Sequence, residues 1–331
     1  MSVINLSDTL TPPEIQELMD WLNQHNFRVT KGLEQKNSYC SDTPTEPLIR
    51  AAILDTETTG VNVEVDKVIE LGFVVFDYAP TTGQVYNIVR AFNGLEDPEM
   101  YIPPESQRIH HITDEMVAME KFDDAEIEKA LEDVNLIIAH RAEFDRPFIE
   151  KRLPFFKNKA WACSLTQIPW LKEGITGMKL EFLAYINGFH YDGHRADNDC
   201  RALLEVLQRP LPVSGELALK VLLENARQPE LKIYALNAGF DVKDKLKERR
   251  YRWNADRKLW GHVVALPDMP TEIAWLRTEI YHNKPFKLEQ ETVGPKVRFS
   301  NRVGPVEIVD YFPEAAMPVL HQPGLFRELM D

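Results

Sequence analysis

Residues 52 to 60 read A-I-L-D-T-E-T-T-G, an apolar run that ends in two carboxylates, Asp55 and Glu57, two positions apart. In a β-strand, side chains at i and i+2 point to the same face. Two acids crowded onto one face repel each other, and an ordinary core accommodates neither. A divalent cation between them removes both difficulties, because hard cations are bound by carboxylate oxygen. The alternative is a solvated loop mouth at the end of a strand, and the rest of the chain has to decide between the two.

A chain of 331 residues, 44% hydrophobic and 27% charged, is ordinary for a globular protein with room for two domains. No apolar stretch reaches the roughly 18 residues needed to span a bilayer. The start, M-S-V-I-N-L-S-D, lacks the basic and apolar segments of a secretory signal, so no membrane partner and a cytoplasmic location are expected. The three cysteines, Cys40, Cys163 and Cys200, lack C-x-x-C spacing and read as reduced thiols, neither a disulfide framework nor a zinc site. A net charge of −14 argues against a protein that coats nucleic acid by charge alone. The charge is uneven, however: residues 232–262 carry nine Lys or Arg against four acids.

The pattern along the chain gives the organisation. T-P-P-E at 11–14 reads as a helix start, with Thr11 as N-cap, Pro12 in the first helical position and Glu14 closing a capping box. Residues 31–47 hold no period and read as a linker. From Ile49, apolar runs to Asp55, at 68–76 and at 85–92, with T-T-G between the last two, predict three antiparallel strands. A helix near 125–131, a short strand at 136–139 and helices at 142–151, 179–187 and 195–207 follow, until P-L-P-V breaks the chain at Pro210. Strands first, then strands alternating with helices, predict a three-layer α/β domain with a mixed sheet over residues 47–210.

Two further motifs fall at the ends of these elements. In A-H-R-A-E-F-D-R-P-F, residues 139–148, Asp145 lies in the first turns of a helix that follows a strand; a solvated helical acid is the bland alternative. In H-R-A-D-N-D, residues 194–199, His194 precedes a helix and Asp199 lies one turn into it, with Asp197 as a competing carboxylate.

The order of these motifs resembles the DnaQ-like, or DEDDh, 3′-to-5′ exonuclease superfamily, and I-H-H-I-T at 109–113 looks like that family's I-H-G-I-T segment. The likeness covers about 160 residues. Arg141 stands where the family usually has Asn, and His111 where it usually has Gly. The resemblance implies a ribonuclease H-like sheet, with Asp55, Glu57, Asp145 and Asp199 holding two Mg²⁺ or Mn²⁺ ions and His194 as general base. A histidine suits that task because its unperturbed pKa is near about 6.5. It also implies contacts of Thr58 and Thr59 with the 3′-terminal sugar, and release of nucleoside 5′-monophosphates.

Beyond residue 210, residues 240–264 read as a basic helix followed by a hairpin turning at 254–258, and a helix capped by Thr271 is expected over 271–281. Basic residues interleaved with Tyr251, Trp253 and Trp260 would suit a single strand, although both tryptophans read better as core. Phe144 and Phe148, four apart on one helix, also read as packing rather than as base-stacking platforms. Q-P-G-L-F near the C-terminus resembles the peptide by which bacterial replication and repair proteins dock on the sliding clamp, through Gln322, Leu325 and Phe326. The expected division is therefore an N-terminal helical extension and linker (1–46), an exonuclease domain (47–210), a small basic α+β module (211–285) and a tail (286–331). The expected activity is hydrolysis of DNA, single-stranded or frayed, from 3′ ends in proofreading or repair, with a DNA polymerase as a candidate partner. An exoribonuclease and a non-catalytic nucleic-acid-binding protein are the alternatives.

Overall fold

The computed structural model describes residues 11–255 and 257–312. The elements run α1 (Pro12–Gln24), β1 (Lys31–Gly32), β2 (Ile49–Thr58), β3 (Val68–Tyr78), β4 (Val85–Leu95), α2 (Pro104–His110), α3 (Asp114–Val117), α4 (Asp124–Ala130), β5 (Leu136–Ala139) and α5 (Ala142–Arg152). There follow β6 (Ala160–Cys163), α6 (Ser164–Gln167), α7 (Leu180–Ile186), β7 (Phe189–His190), α8 (Ala196–Leu207) and α9 (Ala218–Ala226). The last part holds β8 (Glu230–Ala235), α10 (Lys243–Glu248), β9 (Arg252–Asn254), β10 (Leu259–Ala265), α11 (Met269–Trp275), β11 (Phe286–Val293) and β12 (Val306–Tyr311).

The first large sheet has the order β4-β3-β2-β5-β6. β2, β3 and β4 are antiparallel neighbours, whereas β5 lies parallel to β2 and β6 parallel to β5. This mixed sheet between two helical layers is the ribonuclease H-like architecture. β2 reads as a continuous apolar run because both of its faces are covered. Ala51 and Ile53 enter one core with α8 residues Cys200, Leu203, Leu204 and Leu207. Ala52 and Leu54 enter the other with Ala142, Phe148 and Ile149 of α5. The alternation carries on past Leu54, so Asp55 and Glu57 share the α8 face and Thr56 the α5 face.

α8 lies close on the sheet because β3 has a glycine at the crossing. Gly72 is the register partner of Asp55. A Cβ at Gly72 would stand 2.4 Å from the Ala196 carbonyl carbon and 2.6 Å from the Asp197 nitrogen. The first turn of α8 therefore rests directly on β3.

The described residues depart from the expected division in several places. β1 pairs with β7, and Leu33 and Tyr39 pack on the first core, so the stretch read as a linker is partly docked. α9 lies beyond Pro210, yet Leu219, Leu222 and Leu223 belong to the same core. The boundary expected at 285 falls just before β11, which pairs with β8 in a second sheet of order β12-β11-β8-β10-β9. Two of that sheet's five strands thus come from the expected tail. The helix expected over 271–281 starts at Met269 with Pro270 in its first turn, and passes into a π-helical turn over Leu276–Ile280. Trp253, expected in the core, is 51% exposed, because β9 is an edge strand; Trp260 beside it is half-buried. Gln322, Leu325 and Phe326 lie outside the described residues. Among the described residues no helix is long and apolar enough to cross a membrane.

Gly72→Ala is expected to push α8 off β3, lowering stability by about 1–3 kcal/mol. Urea unfolding checks this; a variant with an unchanged midpoint contradicts the tight crossing.

Candidate active site

The apolar run of β2 delivers Asp55 and Glu57 to the C-terminal end of the strand, and α8 brings Asp199 over them. One carboxylate oxygen from each of these three residues lies within 4.8 Å of the others. Of the two carboxylates Asp197 and Asp199, it is Asp199 that joins the cluster. The Tyr191 hydroxyl donates to Asp199 Oδ1 at 2.9 Å, and the Arg195 N–H donates to Oδ2 at 3.1 Å.

Asp145 arrives from the opposite layer. It is buried on α5, and its Oδ1 accepts hydrogen bonds from the Thr56 N–H at 3.1 Å and the Thr56 hydroxyl at 2.9 Å. It is thus tied to the residue between Asp55 and Glu57, from the other face of the same strand. His194 sits on the loop entering α8 in a left-handed conformation, φ 63°, exposed, with Nε2 3.5 Å from Glu181 Oε1. It lies outside the three-carboxylate cluster. Thr58 and Thr59 flank the cluster, but their hydroxyls are engaged in the turn, bonding to the Gly60 carbonyl at 2.6 Å and to Asp66 Oδ1 at 3.1 Å.

Sequence reasoning overlooked Glu70. It is fully buried on β3, in register with Glu57, and accepts from Arg195 Nη2 at 2.8 Å, Asn93 Nδ2 at 3.0 Å and the Ala196 N–H at 3.1 Å. The signal was present as a lone acid inside V-I-E-L-G-F. His111, where a glycine was expected, occupies the left-handed C-cap of α2 with φ 58°. That conformation is the reason a glycine suits the position.

Crowding and burial keep protons on the acids. Burial, then the charges of Asp145, Asp199 and Glu57, holds Asp55 well above the usual carboxylate range. Burial, then Asp199, Glu70 and Asp145, pushes Glu57 up to about 8. Burial raises Asp145 to about 7 against the pull of the Thr56 hydrogen bonds. It raises Asp199 to about 6 against the Tyr191 hydrogen bond and the His194 charge. An all-oxygen donor set whose members repel one another fits a hard divalent cation, which would replace those protons.

The exonuclease family profile matches residues 52–207. DNA polymerase III subunit epsilon of Treponema pallidum (strain Nichols) is 30% identical over 164 residues, which is 46% of this chain and 72% of that protein. The chain belongs to the exonuclease family. It is a DEDDh-type member related to the epsilon subunit. The corresponding subunit of Aquifex aeolicus (strain VF5) is 27% identical over 46% of this chain and 76% of its own length. A PolC-type DNA polymerase III of Clostridium perfringens (strain 13 / Type A) is 28% identical over 200 residues, only 13% of that protein. A solved structure of exonuclease X in complex with 5′ overhanging duplex DNA aligns with 52% of this chain and 97% of that chain, at 25% identity and a TM-score of 0.36. The family match spans the cluster, Asp145 and His194.

The folded, metal-free exonuclease holds protons that its unfolded chain has already released between pH about 4 and about 8. Its stability is therefore expected to fall as pH rises through that window. Glu57→Gln is expected to melt higher than wild type at pH 8 in EDTA, with the gap closing towards pH 5. Thermal melts across that range check this, and a wild type that gains stability from pH 5 to 8 relative to the variant contradicts it.

Proposed function

We propose that the protein hydrolyses DNA from the 3′ end, releasing nucleoside 5′-monophosphates in proofreading or repair in the cytoplasm. The observation that carries this reading is the junction at the end of β2: three carboxylates on one face, and Asp145 tied to Thr56 from the other. Two Mg²⁺ or Mn²⁺ ions held by Asp55, Glu57, Asp145 and Asp199 would supply charge stabilisation to an in-line phosphoryl displacement. His194, exposed on its loop, accepts the proton of the attacking water at a ring nitrogen. The Glu181 carboxylate, 3.5 Å from Nε2, stabilises the imidazolium so formed. Glu70 holds Arg195, and with it the loop that carries His194. The turn at Thr58 and Thr59 borders the sugar of the terminal nucleotide.

The epsilon-subunit relatives support DNA as the substrate and a polymerase as a partner. Gln322, Leu325 and Phe326 would add docking on a sliding clamp, supported by the sequence pattern alone.

The test is product release from matched 5′-labelled single-stranded DNA and RNA with Mg²⁺ or Mn²⁺. The expected result is a ladder shortening from the 3′ end of DNA, reduced on the order of 10³-fold in Asp55→Ala, since stabilisation worth several kcal/mol is removed. A ladder on RNA alone would overturn the substrate, and no ladder on either would overturn the activity.

A further inference from the structure

The active-site edge of the sheet does not stop at the carboxylates. β2, β5 and β6 run parallel, so their C-terminal ends lie along one edge, where ligands of open α/β sheets bind. Asp55 and Glu57 stand at the end of β2; Arg141 and Phe144 follow β5; Gln167 follows β6. Across from them stands the C-terminal module, with Lys232 of β8, Val263 of β10 and Phe299 of the connection between β11 and β12. Between the two walls lies a cleft of about 620 Å³, lined by Arg141, Phe144, Gln167, Lys232, Val263 and Phe299, with Asp55 and Glu57 outside its lining.

We propose that this cleft is the track of the single strand immediately 5′ of the nucleotide being removed, and that the C-terminal module supplies one wall of it. The proposal rests on the exonuclease reading of the adjoining carboxylate site. Its occupant follows from the chemistry of the walls. Phe144 immediately precedes Asp145 and is half-buried against Phe148, with ring centroids 5.1 Å apart. Phe299, also half-buried, faces the same core as Phe144 and is held at φ 66°. Arg141 is exposed, its nearest carboxylate Glu143 at 3.9 Å. Lys232 lies over the Tyr234 ring at 5.5 Å and makes no ion pair among the described residues. Gln167 is buried with Oε1 accepting the Cys163 N–H at 2.8 Å, while its Nε2 has no hydrogen-bond partner among the described residues. Aromatic rings flanked by cations suit the bases and phosphates of a single strand. The wall's acids are largely engaged: Glu230 pairs with Arg298 at 2.7 Å, and Glu291 accepts the Gly304 N–H at 2.9 Å.

The two walls are also fixed to each other. Arg146, the residue after Asp145, is fully buried and donates to the Pro295 carbonyl at 3.1 Å and the Lys296 carbonyl at 2.6 Å, and also to the Arg298 carbonyl. Ser300 donates to Glu150 at 2.6 Å, and Arg298 to the Ala226 carbonyl at 2.7 Å. Phe299 thus lies between two anchors, one to α5 and one to α9. The cleft is built into the fold before a strand enters it.

Fluorescence anisotropy of a labelled single-stranded oligodeoxynucleotide in EDTA tests this without requiring catalysis. Phe299→Ala and Lys232→Glu in the full chain are expected to weaken binding on the order of tenfold each, as loss of one base stack or one phosphate contact does. With Mg²⁺, KM for a long strand should rise in both variants. Lys232→Glu, which changes a charge at a half-buried position without opening a cavity, carries the test if Phe299→Ala does not fold. Variants that bind the strand as wild type does would overturn the track even where cleavage is seen. Loss of binding in the variants of a chain that cleaves nothing would uphold the cleft as a single-strand site and overturn the exonuclease reading.

Discussion

Like charge forced together at the end of one strand is the constraint on which the rest of the structure depends. Asp55, Glu57 and Asp199 converge within 4.8 Å, and each carries protons above the usual carboxylate range when no cation is present. Such an arrangement costs stability, and the fold sustains it only because elements on both faces of the sheet hold β2 rigidly. The alternation of β2 does this economically: Asp55 and Glu57 meet α8, while Thr56 hydrogen-bonds Asp145 of α5. One strand end therefore gathers acids from two separate layers.

Behind the site stand two buried charges, Glu70 and Arg146, each held by several partners. Glu70 and Arg195 pin the start of α8, and Gly72 lets that helix rest on β3. On the other face, Arg146 ties α5 to the segment at 295–298, so the C-terminal module bears directly on the helix of Asp145. Breaking a buried guanidinium network of this kind leaves its partners unpaired in the interior, which makes it a strong constraint on geometry. The module is joined to the layer of α5 by its packing as well as by the chain.

Much of this was legible in the sequence, and the reason is local. D-x-E at the end of an apolar run, an acid in the first turn after a short strand, and H-x-x-x-x-D at a helix start are each written in a few adjacent residues. What was not legible depends on distant partners. Glu70 reads as an anomaly in an apolar strand until Arg195, 125 residues away, is seen to pair with it. The division at 285 failed because β11 belongs to its sheet only through pairing with β8, more than fifty residues earlier. Trp253 and Trp260 are alike in sequence, and the edge position of β9 alone leaves Trp253 exposed. That Asp145 reaches the site through Thr56, from the opposite layer to Asp199, follows from three-dimensional packing that no motif spacing encodes.

The most direct test of the central claim is calorimetric titration of the metal-free protein with Mn²⁺ at pH 8, beside Asp199→Asn. The account predicts saturable binding to wild type, accompanied by proton release, and a loss of affinity of tenfold or more in the variant, as expected when one charged oxygen ligand is neutralised. Wild type without saturable binding, or a variant that binds equally well, would contradict the reading of the crowded carboxylates as a cation site.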